Sequence, residues 1–204
     1  MIYLSGVVRP DLPAMLTPRM GQLPPDGQAW AADNGRYASP QDYTDAKYLA
    51  WLARMDPYRD RCIFATAPDV WGDYDATLEL SLPMLEPIRA LGYPVAMVAQ
   101  DGIERYLGDE GGDSDIPWED FDVLFVGGSD TWRHSDGLRA VVAEAKRLGV
   151  WVHMGRVNSL RRMQYAESIG CDSADGTSLR FDPNKPVQSW ARHVIANPSI
   201  WRTE

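Results

Sequence analysis

The chain has 204 residues, of which 45% are apolar, enough for one domain with a sizeable core. No apolar run approaches the roughly 20 residues of a membrane span, and the N-terminus lacks the basic and apolar regions of a signal peptide. Two cysteines, Cys62 and Cys171, exclude a disulfide framework and a Cys-x-x-Cys metal motif, and the net charge of −9 argues against a broad nucleic-acid-binding surface. We therefore expect a single domain over 1–204, a cytoplasmic location, and no metal or cofactor.

The first third of the chain predicts two strands, a long loop and a helix. An apolar, β-prone strand covers 1–8, and the five prolines of 9–28 predict a loop, either a lid or a mobile arm. A short strand over 29–33 then ends at an aspartate. Ser39-Pro40 has the composition of a helix start, with Ser39 as the N-cap and proline in the first turn, and this helix should run to about Met55.

The middle of the chain predicts two more strands around one helix. The strands cover 62–69 and 94–100. The helix between them, 73–91, contains Pro83 and Pro87, which should kink or split it. The acidic, glycine-rich stretch 108–116 misses the spacing of a calcium loop and is expected to be a solvated loop.

The last third alternates strand and helix again. A strand over 121–128 closes on paired glycines, and a helix capped by Ser135 follows. The strand 151–154 leads to a helix whose N-cap is expected at Asn158-Ser159, and a further strand delivers Asp175. Beyond it, a short amphipathic segment is predicted at about 186–195, with tryptophans at 190 and 201.

Six or seven nearly continuous apolar strands joined by helical crossovers predict a parallel α/β fold. No Gly-x-Gly-x-x-Gly follows the first strand and no P-loop is present, which disfavours an open nucleotide-binding sheet. A compact (β/α) TIM-like barrel with missing or degenerate helices fits better, with its ligand site at the C-terminal ends of the strands.

Each predicted strand after the first ends in, or is followed at once by, a polar residue or a glycine. They are Asp33, Asp69, Gln100, Gly127-Gly128, Met154-Gly155 and Asp175. In a parallel barrel these ends meet at one mouth, where carboxylates could supply a nucleophile and a general acid or base. Each acid taken alone could equally cap the next helix, so the prediction depends on the ordered series.

Several of these segments resemble, in the same order, motifs of the tRNA-guanine transglycosylases and of their DNA-acting relatives, the DpdA-type 7-deazaguanine transglycosylases. The segments are Asp33-Asn-Gly-Arg-Tyr37, Pro68-Asp69, Val98-Ala-Gln100-Asp-Gly102, Phe125-Val-Gly127-Gly128, Met154-Gly155 and Gly170-Cys-Asp-Ser-Ala-Asp175. The likeness therefore spans about residues 29–177. The zinc site of the tRNA enzymes is absent, and Gly176-Thr177-Ser178 replaces their Pro-Thr-Arg, so the resemblance favours the DNA-acting, phage-like enzymes.

The resemblance implies a base exchange without a cofactor, in which guanine in DNA, or alternatively RNA, is replaced by a 7-deazaguanine such as preQ0. It assigns Asp175 as the nucleophile that attacks the sugar and Asp33 as the general acid and base. Asp69, Gln100, Gly127 and Gly128 would contact the polar edge of the base, and Tyr37 and Met154 would stack on its two faces. His153, which precedes Met154 on the strand, should then point away from the ligand.

Residues 131–204 carry a net charge of +4 and residues 1–130 a net charge of −13. Such asymmetry could produce a basic face, although it often only reflects solvated helix surfaces. Four arginines near the nucleophile in the sequence could hold phosphates or could be ordinary exposed helix residues: Arg156, Arg161, Arg162 and Arg180.

Two other classes of function stay open. The same carboxylates would serve a nucleoside or small-molecule N-glycosyl hydrolase or lyase, which should not bind DNA at any salt concentration. A non-catalytic subunit that binds a deazapurine or a partner protein would be indifferent to the loss of Asp175. The sequence leaves the oligomeric state open.

Overall fold

Eight short parallel strands close a barrel in the computed structural model, which describes residues 1–108 and 114–184. Each strand pairs with the next one along the chain, and the last pairs with the first. The strands are β1 (Ile2–Ser5), β2 (Ala14–Leu16), β3 (Trp30–Ala32), β4 (Cys62–Thr66), β5 (Val95–Ala99), β6 (Val123–Val126), β7 (Trp151–Met154) and β8 (Ser173–Gly176). The predicted TIM-like (β/α) barrel is therefore confirmed.

The described residues contain four α-helices for these eight strands. They are α1 (Asp45–Arg54), α2 (Tyr74–Ala90), α3 (Asp136–Arg147) and α4 (Leu160–Ser168), and short 3₁₀ turns lie elsewhere in the connections. No α-helix separates β1, β2 and β3, which agrees with the expectation of missing helices. None of the helices in this part of the chain is both long and apolar enough to cross a membrane.

The strand β2 corrects the prediction of one continuous loop over 9–28. Its three residues lie between Pro13 and Pro18, and they pair with β1 through Ser5 and Ala14 and with β3 along their whole length. Three apolar residues among prolines give no local strand signal, because a strand this short is stabilised by its neighbours in the barrel and not by its own sequence.

Helix α2 is a single helix of 17 residues that contains both prolines, so of the two predicted effects, a kink or a split, the split does not occur. Pro83 and Pro87 are four residues apart and therefore share one side of the helix, where Pro83 is exposed and Pro87 is half-buried. These prolines leave the carbonyls of Glu79 and Pro83 without a helical N–H partner, and both residues are exposed, so water can satisfy the carbonyls.

The helix caps agree with the sequence at α3 and α4 but not at α1. The Ser135 and Ser159 side chains accept from the backbone N–H groups of Leu138 and Arg162. Helix α1 begins five residues later than the predicted start after Pro40, and Thr44 is its N-cap. The stretch after Ser39 forms turns instead.

The core has two layers that follow from strand alternation. Inward-facing side chains of the strands fill the barrel, among them Leu4, Met15 and Phe64. Outward-facing ones, such as Met97 of β5, pack with the helices in a larger second layer. In a closed barrel both faces of a strand are apolar, so the sequence alone does not tell which alternate residues face inward. The amphipathic segment at 186–195, His193, Trp190, Trp201 and part of the 108–116 loop lie outside the described residues.

Candidate active site

One pocket lies at the C-terminal ends of the strands and encloses about 550 Å³ of space, including part of its open mouth. It brings together seven of the residues singled out in the sequence: Asp33, Tyr37, Asp69, Gln100, Gly127, Arg156 and Asp175. The rest of its lining is Asn34, Thr66, Trp71, Val98, Phe125 and Gly155. The ordered series of strand ends therefore converges as a parallel barrel requires.

Asp33 is the residue after β3, and its carboxyl group is enclosed by the pocket. Burial raises its pKa to about 7; the backbone N–H of Gly35 acts against this shift, and the negative charges of Asp69 and Asp175 add to it. The Gly35 N–H donates to Asp33 Oδ1 at 2.6 Å. A carboxyl group with a pKa near neutrality can both give and take a proton at physiological pH.

Asp69 follows β4 and is held by two amide side chains. Gln100 Nε2 donates to Asp69 Oδ2 at 2.7 Å, and Asn34 Nδ2 lies 3.4 Å from Oδ1. Burial raises the pKa of Asp69, while Asn34, Arg36 and Gln100 counteract the shift. Asp69 is thus a half-buried acceptor in the pocket lining, suited to a ligand that presents N–H groups.

Gln100 is orientated by its own partners. Its Oε1 accepts from the backbone N–H groups of Gly72 at 2.9 Å and Gly128 at 2.8 Å, which directs its amide nitrogen to Asp69. Gly128 has a positive φ of 65° and lies behind the lining, with its carbonyl accepting from Arg156. Gln100 therefore orients the Asp69 carboxylate, and the Gly128 carbonyl orients the Arg156 guanidinium. This orienting role is better supported than a direct contact of either residue with a ligand.

Gly127 leaves no room for a side chain. A Cβ there would lie 2.8 Å from Gln100 Nε2 and 2.9 Å from Val98 Cγ1. We expect Gly127→Ala to push the Gln100 amide away from Asp69 and to weaken ligand binding roughly 10-fold or more, since the half-buried Asp69 carboxylate would lose the donor that orients it. Calorimetry with a purine ligand such as guanine measures this. Gly149→Ala is the control for a general loss of stability, because alanine is strained at its φ of 77° but the residue lies outside the pocket lining, and equal affinities of the two variants would contradict the prediction.

Two aromatic side chains form an exposed wall at the mouth. Tyr37 is 61% exposed and Trp71 51%, with ring centroids 6.4 Å apart, and the Arg156 guanidinium lies 5.8 Å from the Tyr37 ring. Large exposed aromatics at a pocket mouth are suited to stacking on a flat ligand. Trp132, which follows β6 as Trp71 follows β4, is instead buried, and its indole N–H donates to Glu104 Oε2 at 2.8 Å.

Met154 and His153 occupy the reverse of their expected sides. Met154 packs in the outer layer between barrel and helices and does not line the pocket. His153 is fully buried inside the barrel, and its Nε2 lies 3.1 Å from Asp175 Oδ1. The two do alternate as strand neighbours must, but the register of β7 with β6 and β8 turns His153 inward.

The four candidate arginines are not equivalent. Only Arg156 lines the pocket, and it is the one non-glycine residue of the described chain with a positive φ, 58°. Arg162 donates to the Arg156 carbonyl at 3.3 Å and to Asp130 at 2.7 Å, so it supports this conformation from outside. Arg161 and Arg180 are exposed and outside the lining.

Sequence reasoning missed the polar residues that sit behind the pocket. Asn34 is buried, and its Nδ2 donates to the Ala67 carbonyl at 2.9 Å. His153 carried one usable signal, a polar residue in an apolar strand two residues after Trp151. Across the residues that the structure describes, no group of three or more His, Cys, Asp and Glu side chains is arranged to hold a metal ion.

No family model matches the chain, and no curated protein matches it. Two solved structures are weakly similar to the chain: "PaMucR Phosphodiesterase, c-di-GMP complex" at 17% identity with a TM-score of 0.42, and "Klebsiella pneumoniae BlrP1 pH 8.0 calcium/cy-diGMP complex" at 16% identity with a TM-score of 0.43. Each match covers 74% of this chain. The chain spans 60% of the length of the first structure and 38% of the second.

Proposed function

We propose that the chain is a transglycosylase that replaces guanine in DNA with a 7-deazaguanine derivative such as preQ0. The observation that carries the proposal is the meeting of Asp175 and Asp33 in one pocket, with the pKa of Asp33 near 7. One carboxylate is then available as a nucleophile while the other exchanges a proton at neutral pH. The resemblance of these segments to the transglycosylases gives the reaction class.

The proposed reaction has two balanced halves. Asp175 attacks C1′ of the sugar, the C1′–N9 bond breaks, and its electron pair leaves with the guanine, which takes a proton from Asp33. The incoming deazaguanine then returns a proton to Asp33, and its nitrogen displaces Asp175 from C1′. Dividing one displacement into two in this way is what covalent catalysis offers, and no cofactor is needed.

The pocket supplies matching recognition. The Asp69 carboxyl, held by Gln100, can accept from the N1–H and 2-amino groups on the polar edge of a guanine or deazaguanine. Tyr37 and Trp71 can stack on the ring at the mouth. A base in a duplex would have to leave the stack to reach this pocket. We place the reaction in the cytosol of a bacterium or of a phage-infected host.

Arg156 is the proposed phosphate contact, because its guanidinium reaches the pocket mouth while Arg161 and Arg180 do not. We expect Arg156→Gln to weaken DNA binding and to reduce the slope of log affinity against log salt by about 1, the release of one phosphate contact. Fluorescence anisotropy across a salt series measures both quantities. Arg161→Gln is the matched control, and an equal loss in both variants would point to general charge and not to a site.

A small-molecule reaction is the second candidate, and the overall charge of −9 favours it over a polymer substrate. A free nucleoside would offer the same base edge to Asp69 and the same sugar carbon to Asp175, both of which line the pocket. The same two carboxylates would then cleave its N-glycosyl bond, with water in place of the incoming base.

The deciding experiment supplies the protein with DNA, with RNA and with a free nucleoside, each carrying labelled guanine, in the presence and absence of preQ0. Release from DNA that requires preQ0 supports the proposal. Release from RNA alone moves the substrate to RNA, and release from the nucleoside without preQ0 supports a hydrolase. A folded protein that releases no label from any of them would contradict base exchange.

A further inference from the structure

We infer that His153 is a positioning residue for Asp175: held as the neutral Nε2–H tautomer, it donates to Asp175 Oδ1 and leaves Oδ2 to face the ligand. Neither the sequence motifs nor the proposed chemistry assigns a role to this histidine. It is fully buried, although an unpaired histidine inside an apolar barrel loses its hydration without compensation. Its partners explain why it is tolerated there.

Both ring nitrogens of His153 have partners on β8. Nε2 lies 3.1 Å from Asp175 Oδ1, and Nδ1 lies 2.8 Å from Ser173 Oγ. The ring itself is fixed by two phenylalanines, with centroid distances of 5.0 Å to Phe64 and 4.6 Å to Phe125. The histidine therefore has one rotamer and one pair of hydrogen-bond partners.

The Trp151 indole and the Asp175 carboxylate, at the two ends of this group of hydrogen bonds, together favour one direction for its protons. Its indole N–H donates to Ser173 Oγ at 2.8 Å. If the Ser173 hydroxyl donates in turn to His153 Nδ1, the remaining ring proton is on Nε2 and points at Asp175. Every donor in the chain Trp151, Ser173, His153 and Asp175 then has one acceptor. The other tautomer would aim a lone pair at a carboxylate and leave the Ser173 proton without an acceptor among the described contacts.

The two oxygens of Asp175 consequently differ. Oδ1 faces His153 and lies 3.4 Å from the position that a Cβ on Gly155 would take, while Oδ2 accepts no hydrogen bond within the described part of the chain. Asp175 also lines the pocket. Resting on the proposed function, this makes Oδ2 the oxygen that bonds to C1′, while Oδ1 keeps its hydrogen bond in the glycosyl ester and in the carboxylate that leaves it.

The first test is independent of any activity. In protein labelled with ¹⁵N-histidine, the side-chain nitrogens of His153 are assigned by their loss in His153→Gln and are observed at pH 8. We expect Nε2 to carry the only ring proton, and Ser173→Ala to populate the Nδ1–H form. An Nδ1–H tautomer or a doubly protonated ring in the wild type would overturn the inference, whatever reaction the protein catalyses.

The second test separates positioning from packing. His153→Leu removes the donor, and we expect kcat for base release to fall roughly 100-fold with KM for the deazaguanine unchanged, in a protein whose melting curve shows that it is folded. His153→Gln keeps an N–H group near Asp175 and should recover most of that loss. Equal loss in both variants would indicate a packing role. If the wild type shows no base exchange, the proposed function fails, and the NMR result still decides the inference.

Discussion

Replacing Asp175 by asparagine is expected to lower the rate of guanine release by at least about 10⁴-fold, the largest effect of any substitution in this protein. An amide is not a nucleophile, and its neutral oxygen no longer stabilises the positive charge that develops on the sugar as the glycosidic bond breaks. Single-turnover release of labelled guanine measures the rate. A denaturing gel should show DNA covalently attached to the wild type and none attached to the variant.

The variant should remain folded, because the asparagine oxygen can still accept the hydrogen bond that His153 gives to Asp175. Asp136→Asn is the matched control: Asp136 lies in the first turn of α3, fully exposed and away from the pocket. It should retain the wild-type rate. A rate of guanine release by Asp175→Asn within 10-fold of the wild-type rate would exclude a covalent aspartate. It would favour direct hydrolysis or a non-catalytic role for the protein.

Replacing Asp33 by asparagine is expected to lower the rate of base release by about 10²- to 10⁴-fold, because the departing guanine loses its proton donor. In the wild type, kcat for release should fall as the pH rises through about 7, where Asp33 gives up its proton. The variant should lack this pH dependence. A wild-type rate that is flat between pH 5 and 9 would show that Asp33 is not the acid.

The same substitution should stabilise the protein at high pH. Burial raises the pKa of Asp33 from 3.8 to about 7 in the folded state. The folded state therefore holds a proton that the unfolded chain releases, and the free energy of unfolding falls as the pH rises from about 4 to 7. Asparagine does not titrate, and its oxygen can still accept from the Gly35 N–H.

At pH 8 we expect Asp33→Asn to be more stable than the wild type by up to about 4 kcal/mol, and the gap should close towards pH 4. Urea unfolding at a series of pH values measures the difference. An opposite sign, with the wild type more stable at pH 8, would mean that the folded protein stabilises the charged form of Asp33. Asp33→Asn should therefore be less active and more stable than the wild type, because burying a catalytic carboxyl group raises its pKa at a cost in folding free energy.

The local sequence was sufficient to predict the site residues that lie at or just after the ends of strands. Asp33, Asp69, Gln100, Gly127 and Asp175 each come at or just after an apolar run, and in a parallel barrel these positions meet at one mouth. The same holds for the caps of α3 and α4, where a serine bonds to backbone three residues away. Contacts between residues that are close in the sequence can be predicted from the local sequence, because both partners lie in the same short segment.

Only the tertiary structure decided the features that depend on register between distant segments. The strand β2 exists because β1 and β3 lie on either side of it. The side chains of β7 alternate whatever the fold, but its pairing of Phe125 with His153 and of His153 with Ser173 turns His153 inward and Met154 outward. A shift of this pairing by one residue would turn Met154 inward and His153 outward, because successive residues of a strand point to opposite faces. The local sequence does not exclude such a shift, since both faces of this barrel wall are apolar.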